Sequence, residues 1–432
     1  MSEIREKADL FDGILKNKGI SKYSYSLRAT EKQELNLENG AFKLMRTVFN
    51  NTCTLSVYRG EKMGMVNGND FTPEALEALA DNGIAAAESS PEDPCHDIAP
   101  DQGKDVFKQG VYEPDLDKFI ERIKELFETI KTDYPKVQVM TATGSFDRID
   151  AIKRNSNGTE FVTEAGFYSI VLEFSAREGE QTTGMDYAYV IAKSLDKPLI
   201  ELGDFRFRLE NIVKALEAKP VEGKFEGTVV LTPSMTGEFI GILIGNYASD
   251  RVIIEGTSQW LDKVGEKVAD DKLTVSFKPY DERIVIGDRF TGDDFRAEDF
   301  TIIDKGVLTN HKLSLYGANK TGRPVIKNDG GDMVVEPGDT ALEDIIKGID
   351  KGLLLGGFSG GQPGTNGEFS GVAKNSFVIE NGKIARAVTE TMVNGNLGDV
   401  VKRIKCVSKE LVCNGSSVLP YVAVDGIVVS GK

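Results

Sequence analysis

Two histidines and four cysteines are the side chains best suited here to holding a transition metal or activating a nucleophile, and they are scattered. His96 and His311 lie far apart in sequence and neither has a partner at ligand spacing. That excludes an ordinary zinc peptidase acting alone. His96 stands beside Cys95 in the stretch PCHD, but adjacent residues rarely point at one ion, so a surface or structural role is expected. His311 follows the strand-like residues 306–309 and reads as a strand or turn residue. Serine and cysteine nucleophiles need a base, usually histidine, and no motif supplies one. Cys53, Cys95, Cys406 and Cys413 form no CxxC pair. With no apolar signal segment in residues 1–10, they suit a reducing cytoplasm.

Glycine patterns are the next candidates. Residues 356–367 (GGFSGGQPGTNG) lack the Gly-Lys-Ser/Thr ending and the strand-then-helix frame of a phosphate loop, so they read as a loop or the rim of a site. Residues 236–249 (TGEFIGILIGNYAS) read as a helix in which Gly237, Gly241 and Gly245 recur every four residues and share one face. Each glycine costs about 1 kcal/mol relative to alanine in a helix. Something must therefore approach that backbone closely: either a sheet packed against it inside the monomer, or the occupant of a groove or interface.

The elements that must position these residues can be read from hydrophobic spacing. Residues 4–18 have helical periodicity, and residues 23–69 alternate in short runs broken by Asn-Gly and Arg-Gly turns, as an antiparallel meander does. A second helix is expected over 72–89, with Thr72 as cap and Pro73 at its first position. Residues 90–112 read as a long loop. An i, i+3, i+4, i+7 stripe from Leu116 to Ile130 marks a third helix. Strands return over 137–193, with residues 155–158 (NSNG) as a hairpin turn, and a helix over 206–218 ends at Pro220. Beyond lie a short buried strand (227–232), helices at 236–249, 259–268 and 340–355, and further strands. The fold class is α+β: an N-terminal domain of antiparallel strands with helices over 1–222, and a strand-rich C-terminal domain over 223–432.

The chain carries 68 acidic against 52 basic residues, a net charge of −16. That sign repels phosphate backbones and anionic lipid, which disfavours nucleic-acid and membrane partners. The longest apolar runs are too short to span a bilayer.

Several longer stretches carry a family likeness. Residues 64–68 (GMVNG) precede an alanine-rich helix, and residues 155–158 form the hairpin already noted. Gly361-Gln362 is followed by residues 365–370 (TNGEFS), 377–384 (FVIENGKI) and 388–397 (VTETMVNGNL). In order and spacing these resemble the TldD/TldE peptidase family, whose TldE members are also called PmbA and carried the label "modulator of DNA gyrase". The likeness covers nearly the whole chain. In TldD-type members the helix after the 227–232 strand carries His-Glu-x-x-x-His, whose histidines can hold zinc and whose glutamate can activate its water. Laid on this chain, those positions are Gly241, Ile242 and Asn246, none of which can play the part. Cys413 matches a cysteine that completes the metal site in TldD members, and alone it makes no site.

The resemblance therefore implies a TldD/PmbA-like fold and a TldE/PmbA-type subunit without its own zinc or catalytic residues. Zinc is expected in a TldD-type partner of a two-subunit metallopeptidase that acts in proteolysis or peptide maturation. The alternative is a homodimeric, non-catalytic peptide-binding scaffold. In either case an unfolded peptide is the expected ligand, held by strand addition. Gly237, Gly241, Gly245, Asn246, Gly361 and Gln362 are the candidates for lining its cavity or the partner contact.

Overall fold

The computed structural model describes residues 2–38 and 40–431. Among them, the first half of the chain folds as α1 (Ser2–Asn17), β1 (Lys22–Glu38), β2 (Ala41–Arg59), β3 (Lys62–Gly68), α2 (Pro73–Ser89), β4 (Lys104–Gly110), α3 (Leu116–Asp133), β5 (Val137–Asn155), β6 (Glu160–Glu178), β7 (Gln181–Thr182), β8 (Asp186–Ala192) and α4 (Phe205–Lys214). The strands form one sheet in the order β3-β2-β1-β5-β6-β4, with β7 and β8 also paired to β6. The helices cover one face. Ala8, Phe11 and Leu15 of α1 and Leu76 and Ala80 of α2 pack on Tyr25, Leu27, Leu55 and Val57. Phe119, Ile123 and Leu126 of α3 pack on Phe146 and Tyr168. Gly144 lets α3 settle that closely, since a Cβ there would lie 2.7 Å from Ile123 Cδ1.

The second half contributes β9 (Lys224–Leu231), α5 (Pro233–Tyr247), α6 (Asp250–Ile254), β10 (Val275–Phe277), β11 (Phe300–Asp304), β12 (Val307–Leu308), α7 (Leu315–Thr321), β13 (Met333–Val335), α8 (Leu342–Lys347), β14 (Lys351–Leu355), β15 (Gly357–Gly361), β16 (Glu368–Lys374), β17 (Phe377–Glu380), β18 (Lys383–Ala387), β19 (Met392–Asn396), α9 (Leu397–Val400), β20 (Ile404–Cys413) and β21 (Val418–Ser430). Its sheet centres on β21 and β9, which run antiparallel, with β14 parallel to β9. One core joins α5 to this sheet through Met235, Phe239, Leu243, Val422 and Val424.

Four expectations are corrected. The loop over 90–112 contains β4, paired parallel to β6. It lies at a sheet edge and buries only Phe107 and Gln109, so it lacks an apolar strand signature. The first sheet is therefore not wholly antiparallel. No helix forms over 259–268. Trp260 is buried there while its backbone N–H donates to Ser258 Oγ, and Gly265 adopts φ +84°. The helix over 340–355 stops at Lys347, and residues 351–355 form β14 between β9 and β17. A short, fully buried apolar run reads alike as helix or strand. The glycine-rich 356–367 stretch is largely one arm and the turn of the β15–β16 hairpin.

A buried carboxylate joins the two halves. Asp294 has no exposure and sits at φ +74°. It accepts hydrogen bonds from Ser24 Oγ (2.9 Å) and Asn155 Nδ2 (3.1 Å) and pairs with Lys153 Nζ at 2.9 Å. Asn155 opens the NSNG hairpin, and its Oδ1 also accepts the backbone N–H groups of Asn157 and Thr159. The same amide thus shapes the turn and docks the second half on it. Removing one member of such a buried group strands the others without partners. Asp294→Ala is expected to lower unfolding free energy by about 3–5 kcal/mol, read from the urea midpoint, and an unchanged midpoint would remove the latch from this account.

A pair of carboxylates near this junction, Asp288 and Asp332, carries a pH dependence. Burial pushes the Asp332 carboxyl up to about 6, helped by the neighbouring Asp288 carboxylate and opposed by the Asp288 N–H that donates to it at 2.8 Å. Because the folded-state value is raised, this group's stabilising contribution is complete below the ordinary value of 3.8 and is lost as pH rises to about 6. Asp332 also sits at φ +57°, which asparagine tolerates. Asp332→Asn is expected to match wild type near pH 4 and to exceed it by about 1–2 kcal/mol at pH 7.5 in urea titrations.

Candidate functional site

Strand β9 feeds directly into α5. Thr232 takes the cap position with extended φ/ψ, and Pro233 supplies the fixed φ of the first turn. One face of α5 is locked into the core by Met235, Phe239, Ile240, Leu243 and Tyr247. The other face carries the glycines. A Cβ on Gly237 would lie 2.7 Å from Leu419 Cδ1, so here a neighbour within the chain does approach the helix. Gly241 and Gly245 are exposed, and a Cβ on either would meet nothing within 4 Å. Intramolecular packing accounts for one glycine of the three. The backbone at the other two lies open.

At the C-terminal end of this open face sits the turn of the β15–β16 hairpin. Asn246 Nδ2 donates to the carbonyls of Pro363 (2.6 Å) and Gly364 (3.2 Å). Gln259 Nε2 holds the Thr365 carbonyl at 3.0 Å, and Asn396 Nδ2 holds that of Asn366 at 2.8 Å. The turn closes on Gly367, at φ +79°, where a Cβ would lie 2.3 Å from the Tyr247 hydroxyl. Only glycine fits. Phe358 of β15 packs edge-on against Phe239 of α5, with ring centroids 6.1 Å apart, and so fixes the hairpin to the helix. Beside it opens a cavity of about 510 Å³ lined by Gly361, Gln362, Glu368, Phe369, Ser370, Asn394, Gly395 and Asn396.

The positions carried over from the zinc motif are therefore placed as follows. Gly241 is bare, Ile242 is half-buried against the core, and Asn246 has both carbonyl contacts in the turn. Gly361 and Gln362 are exposed beside that turn. Cys413 is not brought to them. Its thiol donates to the Arg283 carbonyl at 3.2 Å and packs with Ile284, Val334 and Val418, whereas its neighbours Val412 and Asn414 line a separate cavity with Pro233 and Ser234. Among the described residues, no group of three His, Cys, Asp or Glu side chains is disposed to hold a metal ion. The donor set does not fit zinc: Gly241 has no side chain to ligate with, and the Asn246 amide already serves the turn.

Both histidines lie outside this site. His311 is fully buried, donates from Nε2 to the Trp260 carbonyl at 2.8 Å, and is held below the ordinary imidazole value by burial. His96 stacks on Tyr316 with ring centroids 4.6 Å apart. Gln259, Asn366, Asn396 and Tyr247 build the turn's cradle, and no spacing in the sequence marks them for it. Asn366 and Asn396 lie inside motifs that carry only the family likeness, and Gln259 carries no signal at all.

Comparison with known proteins places this geometry among relatives. The PmbA/TldA metallopeptidase C-terminal domain matches residues 223–431, and the family's domain 1 matches residues 26–87. A relative from Haemophilus influenzae named metalloprotease PmbA homolog is 24% identical over 405 residues, covering 88% of this chain and 85% of that protein. The crystal structure of TldE from Thermococcus kodakarensis superposes with a TM-score of 0.85 at 18% identity, over 98% of this chain and 100% of that one. A proposed modulator of DNA gyrase from Bacteroides thetaiotaomicron superposes with the same TM-score at 25% identity, over 100% of both chains.

The open glycines make a direct stability test. Alanine at Gly241 or Gly245 enters empty space in a helix and is expected to raise unfolding free energy by about 0.5–1 kcal/mol each. Gly237→Ala must first displace the Leu419 methyl and is expected to gain nothing. Equal midpoints for all three variants in chemical denaturation would contradict the open-face geometry.

Proposed function

This chain belongs to the PmbA/TldD metallopeptidase family, and on that basis we propose that it is a TldE/PmbA-type subunit of a two-subunit metallopeptidase. In this reading a TldD-type partner supplies the zinc and the general base, and the present chain supplies part of the peptide cavity. The observation that carries it is the occupancy of the zinc-motif positions. The fold and helix are retained, while Gly241 and Ile242 cannot ligate or move a proton and Asn246 holds a turn. The likeness to the Thermococcus TldE supports the fold assignment from which that reading starts.

The surfaces offered to substrate are consistent with an extended peptide. Bare backbone at Gly241 and Gly245 leaves room for another chain, and the glycine-rich hairpin beside it presents main-chain polar groups for strand addition. The substrate is an unfolded peptide undergoing proteolysis or maturation, and the setting is cytoplasmic. Among the described residues no helix is long and apolar enough to cross a membrane. With a net charge of −16, a nucleic-acid partner has no electrostatic support.

Purified alone, the chain is expected to hold no stoichiometric zinc and to cleave no peptide. Mixed with a TldD-type subunit bearing an intact His-Glu-x-x-x-His, it is expected to give chelator-sensitive peptidase activity. Chelator-resistant cleavage by the isolated chain would falsify this assignment. A stable homodimer that binds peptide but gains no activity with any such subunit would instead favour the non-catalytic scaffold.

A further inference from the structure

Where the two halves of the chain meet, beside the buried Asp294 carboxylate, a cavity of about 270 Å³ opens over the first sheet. Its floor is made of two neighbouring cross-strand rows: Ser24, Ser56 and Met65 in one, Tyr58 and Met63 in the other. These side chains lie on the face turned away from α1 and α2, because Tyr25, Leu55 and Val57 between them pack on the helices. Asp293 and Tyr316 of the second half form a wall, and His96, from the loop before β4, stacks on Tyr316.

Three polar groups of this lining keep acceptor atoms that nothing in the chain uses. Ser56 is only 9% exposed, yet among the described residues its hydroxyl has no hydrogen-bond partner. The His96 ring is stacked, but its nitrogens make no hydrogen bond among the described residues. Asp293 accepts the Leu315 N–H on Oδ2 at 2.8 Å, and its Oδ1 is left over. Nor does a cation neutralise Asp293. Lys22 pairs with Asp97 at 2.7 Å, Lys153 with Asp294 at 2.9 Å and Lys320 with Asp93 at 2.8 Å, so each nearby lysine already has its own carboxylate. Burial pushes the Asp293 carboxyl above the usual carboxylate range. The Leu315 N–H opposes this, and Asp329, Asp250 and Asp294 add to it. A charge withdrawn from water without a partner is costly, so this pocket favours a cation.

We propose that this pocket binds a primary alkylammonium group, carried by a small free amine or by a lysine side chain of a peptide. An ammonium has three donors and no acceptor, and the carboxylate, hydroxyl and imidazole gathered here can all accept. Asp293 supplies the counter-charge, and Ser56 and His96 take the remaining N–H groups. Tyr58, Met63 and Met65 offer apolar surface for the alkyl stem. Other occupants fit less well. A hard metal cation needs six or more oxygen ligands, and among the described residues no group of three His, Cys, Asp or Glu side chains is disposed to hold an ion. An anion is repelled, and a wholly apolar ligand leaves Asp293 and Ser56 unsatisfied. Because floor and wall come from different halves of the chain, the ligand also ties the halves together. The inference does not rest on the proposed subunit role.

Titration calorimetry on the full-length chain tests it, at physiological ionic strength, where diffuse attraction to surface charge is screened. The probes are putrescine, a short peptide carrying a single lysine, and two neutral counterparts, n-butanol and the same peptide with its lysine acetylated. Saturable binding of putrescine or of the lysine peptide is expected, with no binding of the neutral probes. Putrescine alone assigns the pocket to a free amine, and the peptide alone assigns it to a lysine side chain. Asp293→Asn keeps an oxygen for the Leu315 N–H and is expected to weaken binding by about tenfold or more. Ser56→Ala breaks no hydrogen bond among the described residues and is expected to weaken it about fivefold, which keeps the test if Asp293→Asn does not fold. Glu343→Gln, at an exposed site on α8, is expected to leave the affinity unchanged. The proposal is overturned if neither amine binds, if the neutral probes bind equally, or if the Asp293 and Ser56 variants bind as wild type does. The subunit reading stands in each of those cases.

Discussion

The arrangement of this molecule depends on a buried carboxylate that is satisfied from across the junction of its two sheets. Asp294 reaches no solvent, and its charge is tolerable only because Lys153, Ser24 and Asn155 all present donors to it. Those donors lie at adjoining positions of β1 and β5, Ser24 being the register partner of Asn155. The second half therefore docks on the first in one orientation. Around the latch, Lys153 Nζ also donates to the Gly292 carbonyl, and Gln109 accepts the Gly287 N–H at 2.9 Å. Arg296 pairs with Asp105 while lying over the rings of Phe107 and Phe161. The strand β4 that bears Asp105, Phe107 and Gln109 is thus placed as much by the second half of the chain as by its pairing with β6.

Helix α5 shows how one element can be held rigidly and still leave its backbone bare. Its apolar face is locked against β21, and Phe239 and Phe358 tie it to the glycine-rich hairpin. The hairpin turn is clamped in its turn by Asn246, Gln259 and Asn396, each side-chain amide donating to a backbone carbonyl. Asparagine at position 246 is well suited to this. Its amide has two donor hydrogens and makes both contacts, whereas a metal-bound imidazole would have only one N–H left to donate. The same helix that elsewhere in the family is implied to hold zinc is here a support for a loop beside a polar cavity.

Much of this was legible in the residues. The amphipathic stripe from Leu116 to Ile130 predicts α3 because burial on one helical face leaves a 3.6-residue period that tertiary context does not blur. The meander of β1, β2 and β3 and the NSNG hairpin announce themselves through alternation and turn chemistry. Strand β4 was hidden because an edge strand with polar residues on both sides looks like a loop. Strand β14 reads equally as helix because residues 352–355 are all buried and carry no period.

The site divides along the same line. Residue identity alone determined that this chain cannot assemble a zinc centre at Gly241, Ile242 and Asn246, because ligation and proton transfer need particular atoms that those side chains lack. Composition likewise determined the sign of its charge. What the Asn246 amide does, that Gly237 is packed while Gly241 and Gly245 are open, and that Cys413 turns away towards Arg283 were decided only by the tertiary structure. The physical reason is that chemistry belongs to a side chain, whereas contact belongs to pairs of residues. Asn246 and Pro363 are 117 positions apart, and nothing local in either records that they meet.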